Sequence, residues 1–470
     1  MSTNRKLNLV PPRVEPSLDP GFRPAVLANR AYRENLRKSG GGERVDLALE
    51  RDEGSVSRFS TEVYPEDRTE SGQNFDYLER LLKFLLWSKG GARIHYAGPP
   101  QLRESLARHY REAPTGKFDA SIMGDKIYEI PFEVRKVSSA DALPAEQEAT
   151  TPLGRHLEGC RIGFDLGASD RKVAALSDGE TLFSEEVPWD PRPQTDPEWH
   201  FREIMDSLKR AAEHLPRVDA IGGSSAGVLV NNRVKVASLF RGVPAELFES
   251  RVKNLFLEIQ KAWGGIPFEV VNDGEVTALA GAMALEDNGV LGIAMGSSEA
   301  AGYVNAEGNI TSWLNELAFA PIDYNPQGPV DEWSGDSGCG VQFFSQQGVG
   351  RLVPKAGIEV EAGMPLPELL VHVQELVAKG DERAARIFET IGVCFGYGIA
   401  HYAEFYDLRN LLILGRVTSG RGGELILSRA RHVLEEEFPE LAEGIAFNIP
   451  DEKQKRHGQA MAAASLPTVK

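Results

Sequence analysis

Cysteine is scarce in this 470-residue chain: Cys160, Cys339 and Cys394 are the three, far apart and in no CxxC pair. Such spacing argues against a disulfide scaffold and supplies no zinc or iron–sulfur ligand set. A reducing, cytoplasmic setting is expected. Long apolar runs are also missing. No stretch approaches the roughly 20 residues of a membrane-spanning helix, and the opening Met-Ser-Thr-Asn-Arg-Lys has no apolar signal core. Positive charge is in deficit, with 52 Lys and Arg against 69 Asp and Glu, a net −17. That argues against a nucleic-acid partner or a membrane surface. It leaves room for a nucleotide, because a local phosphate pocket can be built from backbone N–H groups.

What is present suffices for two to three domains with a substantial core, since 41% of residues are hydrophobic. Residues 1–42, rich in Pro, Arg and Gly, read as an arm with a short helix at Ala25–Leu36. Residues 43–150 read as an accessory α/β domain and linker. Its expected parts are a hairpin (Arg44–Leu49 and Ser57–Tyr64, turning at Asp52-Glu53-Gly54) and a helix at Phe75–Trp87. A strand at Arg93–Ala97, a helix at Gln101–Arg111 and a strand at Lys126–Arg135 follow. From residue 159 three strands lead into alternating helices and strands, the pattern of a mixed sheet with parallel crossovers. The helices expected there include Ala245–Trp263 and Glu275–Leu285.

Four segments carry chemistry. In the first, Asp165-Leu166-Gly167-Ala168-Ser169, a buried strand ends in Asp and a glycine turn follows. An Asp there suits a hydrated cation, and Gly167 lets N–H groups approach a phosphate. An ordinary hairpin with a surface Asp reads the same way. In the second, Val270-Val271-Asn272-Asp273, an apolar strand ends where open α/β sheets bind ligands. Asp273 can take a proton from a hydroxyl there, or simply cap the next helix. The third, Gly296-Ser297-Ser298, repeats the strand–turn–strand pattern. The fourth, Gly415 to Gly423, is a glycine loop after the strand Leu411–Leu414.

Taken in order, these segments resemble the actin/hexokinase/Hsp70 ATPase superfamily and, within it, the ROK family of sugar kinases and repressors, over about residues 160–465. Asp165 to Ser169 resembles the first phosphate motif. Gly296-Ser297-Ser298 stands where the family's Gly-Thr-Gly usually is, Asn272-Asp273 resembles its Asn-Asp with a catalytic Asp, and Gly415 to Gly420 its adenosine loop. Asn315-Glu316-Leu317-Ala318-Phe319 aligns with the family's Gly-Glu-Ile-Gly-His, whose Glu binds sugar hydroxyls. The chain departs from the pattern at Phe319, which replaces the His, at Val341, which replaces a sugar-binding Glu, and in lacking the Cys-x-Cys, so zinc is not expected.

The resemblance implies an α/β fold: two ribonuclease-H-like lobes (159–285 and 286–470) around a cleft, plus the N-terminal domain. It implies an ATP-dependent kinase of a sugar or polyol hydroxyl, with Asp273 as base and Mg²⁺ held through Asp165. Gly167, Ala168, Ser169, Lys172, Gly296, Ser297 and Ser298 are the expected phosphate ligands. Gly415, Arg416, Ser419 and Gly420 would meet adenosine, and Ser225, Asn272, Glu316 and Asp336 the substrate. Asp336 belongs to an Asp331–Asp336 run of three carboxylates and an indole that offers replacements for the altered floor. A homodimer accords with the family. The rival readings are a non-catalytic sugar sensor and another ATPase of the same superfamily.

Overall fold

The computed structural model describes residues 6–51, 54–148, 153–236, 239–449 and 452–469, and only the backbone of 452–457. Most of the expected turn at Asp52-Glu53-Gly54 and the end of the linker lie outside the described residues. Three mixed sheets organise the chain.

The N-terminal sheet contains β1 (Glu43–Glu50), β2 (Val56–Val63), β3 (Arg93–Ala97) and β4 (Glu133–Lys136) in the order β2-β1-β3-β4. The strand expected over Lys126–Arg135 is confined to its end, from Glu133 on, and its first three residues close a wide π-type helix, Ser121–Tyr128, that buries Met123, Ile127 and Tyr128. The helix Asn74–Lys89 is apolar over most of its circumference and is almost wholly buried. It is covered on both sides, because the N-terminal domain shares one continuous core with the second lobe.

The first lobe is the five-stranded sheet. It contains β5 (Cys160–Leu166), β6 (Asp170–Ser177), β7 (Glu180–Pro188) and β8 (Ala220–Ser225). A small hairpin follows, β9 (Val228–Val230) with β10 (Arg233–Val236), and then β11 (Phe268–Asn272). The order is β11-β8-β5-β6-β7, with β5, β6 and β7 antiparallel and β8 and β11 parallel to β5. The second lobe repeats this plan without its outer strand. It contains β12 (Val290–Met295), β13 (Glu299–Val304), β14 (Asn410–Leu414) and β15 (Ala446–Asn448) in the order β13-β12-β14-β15. These two sheets are the ribonuclease-H-like pair.

Two departures from the expected boundaries bear on function. The final helix, Glu452–Ala464, packs on β5 and β8 of the first lobe, although the chain around it belongs to the second. Glycine makes room for it: a Cβ at Gly163 or Gly222 would lie 1.8 Å from the carbonyl of Ala460 or Ala463. The N-terminal arm is also tied down. Asp19 pairs with Arg351 at 2.6 Å and Lys355 at 3.1 Å, and Phe22 packs on Phe343 at 5.5 Å between centroids.

The N-terminal domain also touches the first lobe. Glu129, held at φ 56° after the π-type helix, accepts from Lys235 of β10 at 2.8 Å and pairs with Lys253. Against the small cost of partial burial, the two ammonium groups hold the Glu129 carboxyl down at about 2. Val228, Val230 and Val236 of the β9–β10 hairpin add apolar contact to the shared core. The domain therefore spans both lobes on the side of this hairpin.

Candidate active site

The carboxyl ends of β5, β8 and β11 lie side by side, with Leu166 opposite Ser225 and Ser225 opposite Asn272. Asp165, one residue earlier, is 5% exposed. Burial raises its carboxyl above the usual range, opposed by Lys172 and by the Ser224 hydroxyl, which donates to it at 2.7 Å. Lys172 Nζ is 3.6 Å from Asp165 and 3.5 Å from Asp170.

Asn272 caps the helix Asp273–Leu285. Its Oδ1 accepts from Gly274 N–H at 2.7 Å and its Nδ2 donates to the Gly227 carbonyl at 2.8 Å. Both ends of the amide are thus committed to backbone, and Asn272 orients Asp273. The helix start is pressed against β13, where a Cβ on Gly302 would lie 2.1 Å from the Gly274 carbonyl. Only glycine permits that approach, and it fixes Asp273 at the seam between the lobes.

Asp273 is half-buried. Desolvation, and after it the Asp165 charge, pushes its carboxyl up to about 6. Glu316 is pushed up to about 7 by burial and by Asp273. The backbone N–H of Glu316 donates to the Trp87 carbonyl at 2.9 Å, and that of Asn315 to Ser88 at 2.9 Å. The Glu316 loop is therefore docked on the N-terminal domain. Asp165, Asp273 and Glu316 form one electrostatically linked series.

The second turn, Gly296-Ser297-Ser298, leaves both serines exposed, and Gly296 N–H donates to the Ser298 carbonyl at 2.9 Å. Gly415 stands against the end of β12 at φ 102°, where a Cβ would lie 2.4 Å from the Met295 carbonyl. Arg416, Ser419 and Gly420 are exposed on the following turn, and the Arg416 carbonyl accepts from Gln374 at 2.8 Å. The adenosine-type loop is thus seated on the second-turn strand.

Asp336 is a correction. It was expected among the substrate contacts, and it lies instead in a buried ion network with Arg80 and Lys83, each at 3.0 Å. Against the cost of burial, these cations hold its carboxyl below the usual range. Lys83, 0% exposed, also meets both oxygens of Asp119 at 3.0 Å, and Trp87 Nε1 donates to Asp119 at 2.9 Å. Trp87 lies 4.4 Å from Phe319 between ring centroids, and Trp333 stacks near that ring at 6.1 Å. The segment that departs from the ROK pattern is thus the segment that seats the N-terminal domain.

Several buried carboxylates carry no mark in the sequence. Glu275 is pushed up to about 8 by burial and, against an N–H of Asn272, by Glu316, Glu269 and Asp273. Burial carries Glu299 to about 8, where Tyr402 donates to one of its oxygens at 3.2 Å, and Glu269 to about 7. Ser224 was also missed; its one signal is its place beside Ser225 at a strand end. An isolated Glu in sequence reads as a solvated group, so burial is the information that was lacking.

These shifts have one sign. The folded state holds protons that the unfolded chain has released above about pH 4, so stability falls as pH rises through the folded values near 6 to 8. Because buried Lys89 and His401 are pushed down and act in the opposite direction, the test is a difference: calorimetry should find that Glu275→Gln gains melting temperature relative to the wild type as pH rises from 5.5 to 8.5. A difference that stays constant over that interval would contradict the assignment.

Among the described residues no group of three or more His, Cys, Asp or Glu is arranged to hold a metal ion. A Mg²⁺ ion beside a nucleotide draws only one or two carboxylates from a protein, with waters and phosphate oxygens completing its shell. No helix among the described residues is long and apolar enough to cross a membrane.

No protein-family model and no curated protein sequence matches the chain. Solved structures do. A ROK hexokinase from Thermus thermophilus superposes with a TM-score of 0.51 at 18% identity, over 65% of this chain and 97% of its own. A ROK-family transcriptional regulator, described as a homologue of the E. coli MLC protein, gives 0.51 at 21%, over 66% and 78%. A Listeria monocytogenes protein, provisionally named an N-acetylmannosamine kinase, gives 0.50 at 13%, over 65% and 97%. With both lobes, their strand order and these likenesses together, the chain has the two-lobed, actin-like ATPase fold of the ROK proteins, with a further N-terminal domain built onto it.

Proposed function

We propose that this protein is a divergent ROK-type kinase that transfers the γ-phosphoryl group of ATP to a hydroxyl of a sugar or sugar-like polyol. The observation that carries the reading is Asp273, fixed at the lobe seam with its carboxyl near 6 and linked to Asp165 on one side and Glu316 on the other. A base with that value is ionised at neutral pH and still accepts a proton readily.

The N–H groups of Gly167 to Ser169 and Gly296 to Ser298 would hold the phosphates, and Lys172 would meet them. The loop from Gly415 to Gly420 would take adenosine. Glu316 and Ser225 would orient the acceptor hydroxyls. Asp165 would hold Mg²⁺, whose charge would offset that of the phosphates. Asp273 would take the proton as the hydroxyl oxygen attacks phosphorus. Placement of the two substrates and exclusion of competing water account for most of the rate.

The comparisons support a sensor as the second reading, since a transcriptional regulator shares the fold as closely as a hexokinase does. A thermal-shift screen of sugars, polyols and sugar acids, each with and without Mg-ATP, separates the two. Ligands that bind the folded state raise its melting temperature by mass action. The kinase reading expects one acceptor class and Mg-ATP each to raise it. A sugar effect with no response to Mg-ATP supports the sensor.

A further inference from the structure

The first phosphate-type turn already contains an anion. Asp170 follows Ser169, and the Ser169 hydroxyl donates to its Oδ2 at 2.8 Å. The Lys172 ammonium lies 3.5 Å from its Oδ1. The Gly167 N–H donates to its backbone carbonyl at 3.0 Å. Trp189 braces the turn from behind, with Nε1 donating to the Gly167 carbonyl at 2.8 Å and its own N–H to that of Ser169 at 3.1 Å. Arg171 gives no second cation here, because it turns into Ser207, at 2.8 Å, and Glu203.

Both side-chain donors that the turn can offer a phosphate therefore contact one carboxylate, Lys172 sharing its ammonium between Asp170 and Asp165. We propose that Asp170 sets the affinity of the nucleotide site. Its carboxylate stands in for phosphate, and it releases Ser169 and Lys172 only when a nucleotide's terminal phosphates displace it. The proposal rests on the reading of this turn as a nucleotide site. Two effects act in the same direction. The incoming phosphates compete for donors already satisfied, and they approach a carboxylate as well as Asp165. Each charge-assisted contact that must be exchanged weakens binding, and like charges in a partly desolvated site repel more strongly than in water.

Calorimetric titration with ADP tests this, with and without Mg²⁺, on the wild-type chain, Asp170→Asn and Asp170→Ala. Melting temperatures would verify that both variants are folded. The expected result is about tenfold tighter ADP binding in both variants, the size of effect that loss of one partly desolvated like charge produces. The gain should be larger without Mg²⁺, because the metal offsets the same repulsion. Unchanged or weaker binding in the variants, with the wild type still binding, would overturn the proposal and leave the nucleotide reading intact. Weaker binding confined to the Mg²⁺ arm would make Asp170 a metal-side ligand instead. Failure of all three chains to bind ADP would remove the nucleotide reading and this proposal with it.

Discussion

Asp273→Asn is expected to lower kcat for phosphoryl transfer by roughly 10²- to 10⁴-fold, the range for loss of a positioned general base. The substitution keeps the side chain's size, and an amide oxygen can still accept from Gly274 N–H, as Asp273 does at 3.1 Å. The helix start should therefore be undisturbed. It also removes a negative charge that faces Asp165, so the affinity for Mg-ADP should change by no more than about threefold. In the wild type the base must be ionised, so kcat/KM should rise with pH through an inflection near 6, and the variant should lose that inflection. Equal loss of catalysis and nucleotide affinity would instead make Asp273 a structural cap.

The second large effect is on stability. Lys83→Met removes the cation that meets Asp119 at 3.0 Å and one of the two described cations that meet Asp336. Breaking a buried ion cluster by deleting one member costs about 3–5 kcal/mol, because the charge left behind is uncompensated. Burial already raises the Asp119 carboxyl, and Lys83 opposes that rise. Without Lys83 the acid would take up a proton more readily, so the destabilisation should be smaller at pH 5 than at pH 8. Urea unfolding at both pH values measures this. Adding Asp119→Asn should recover part of the loss, since the two positions are in contact and couple. A loss below about 1 kcal/mol would place the pair in the class of surface ion pairs. Because the same network holds Asp336 and the Phe319 segment, acceptor binding should weaken with it while ADP binding does not.

The two-lobed part of the molecule was legible because its information is local. The strand expected at Leu411–Leu414 comes within one residue of the observed Asn410–Leu414, since a short apolar run between turn residues specifies it. Asp165, Asn272, Asp273 and Gly415 stand at strand ends, where their neighbours in sequence place them. Local reading failed where tertiary contacts override pattern. The alternating apolar residues Ile130, Phe132 and Val134 predict a longer strand, yet Met123, Ile127 and Tyr128 are drawn into the core as one helical face. The helix expected over Ala245–Trp263 breaks into Ala245–Leu247, Phe248–Val252 and Leu255–Ala262, and the Lys253 carbonyl at the break accepts from Val234 N–H at 3.1 Å. The seat of the N-terminal domain was illegible for a different reason. Lys83 and Asp336 are separated by some 250 residues, and nothing in either neighbourhood names the other. The repeat of the sheet plan in the second lobe leaves no periodic mark on the sequence, and only the resemblance, with its two ribonuclease-H-like lobes, led to expecting it.

The account rests on two substrates meeting at Asp273, and transfer itself tests that most directly. The wild-type chain, Mg²⁺ and ATP labelled at the γ-phosphate would be incubated with the acceptor that the thermal-shift screen identifies. The account predicts label in the acceptor, with one ADP formed per phosphorylated product. Label that stays in ATP, or passes only to water, while both ligands are bound would contradict it.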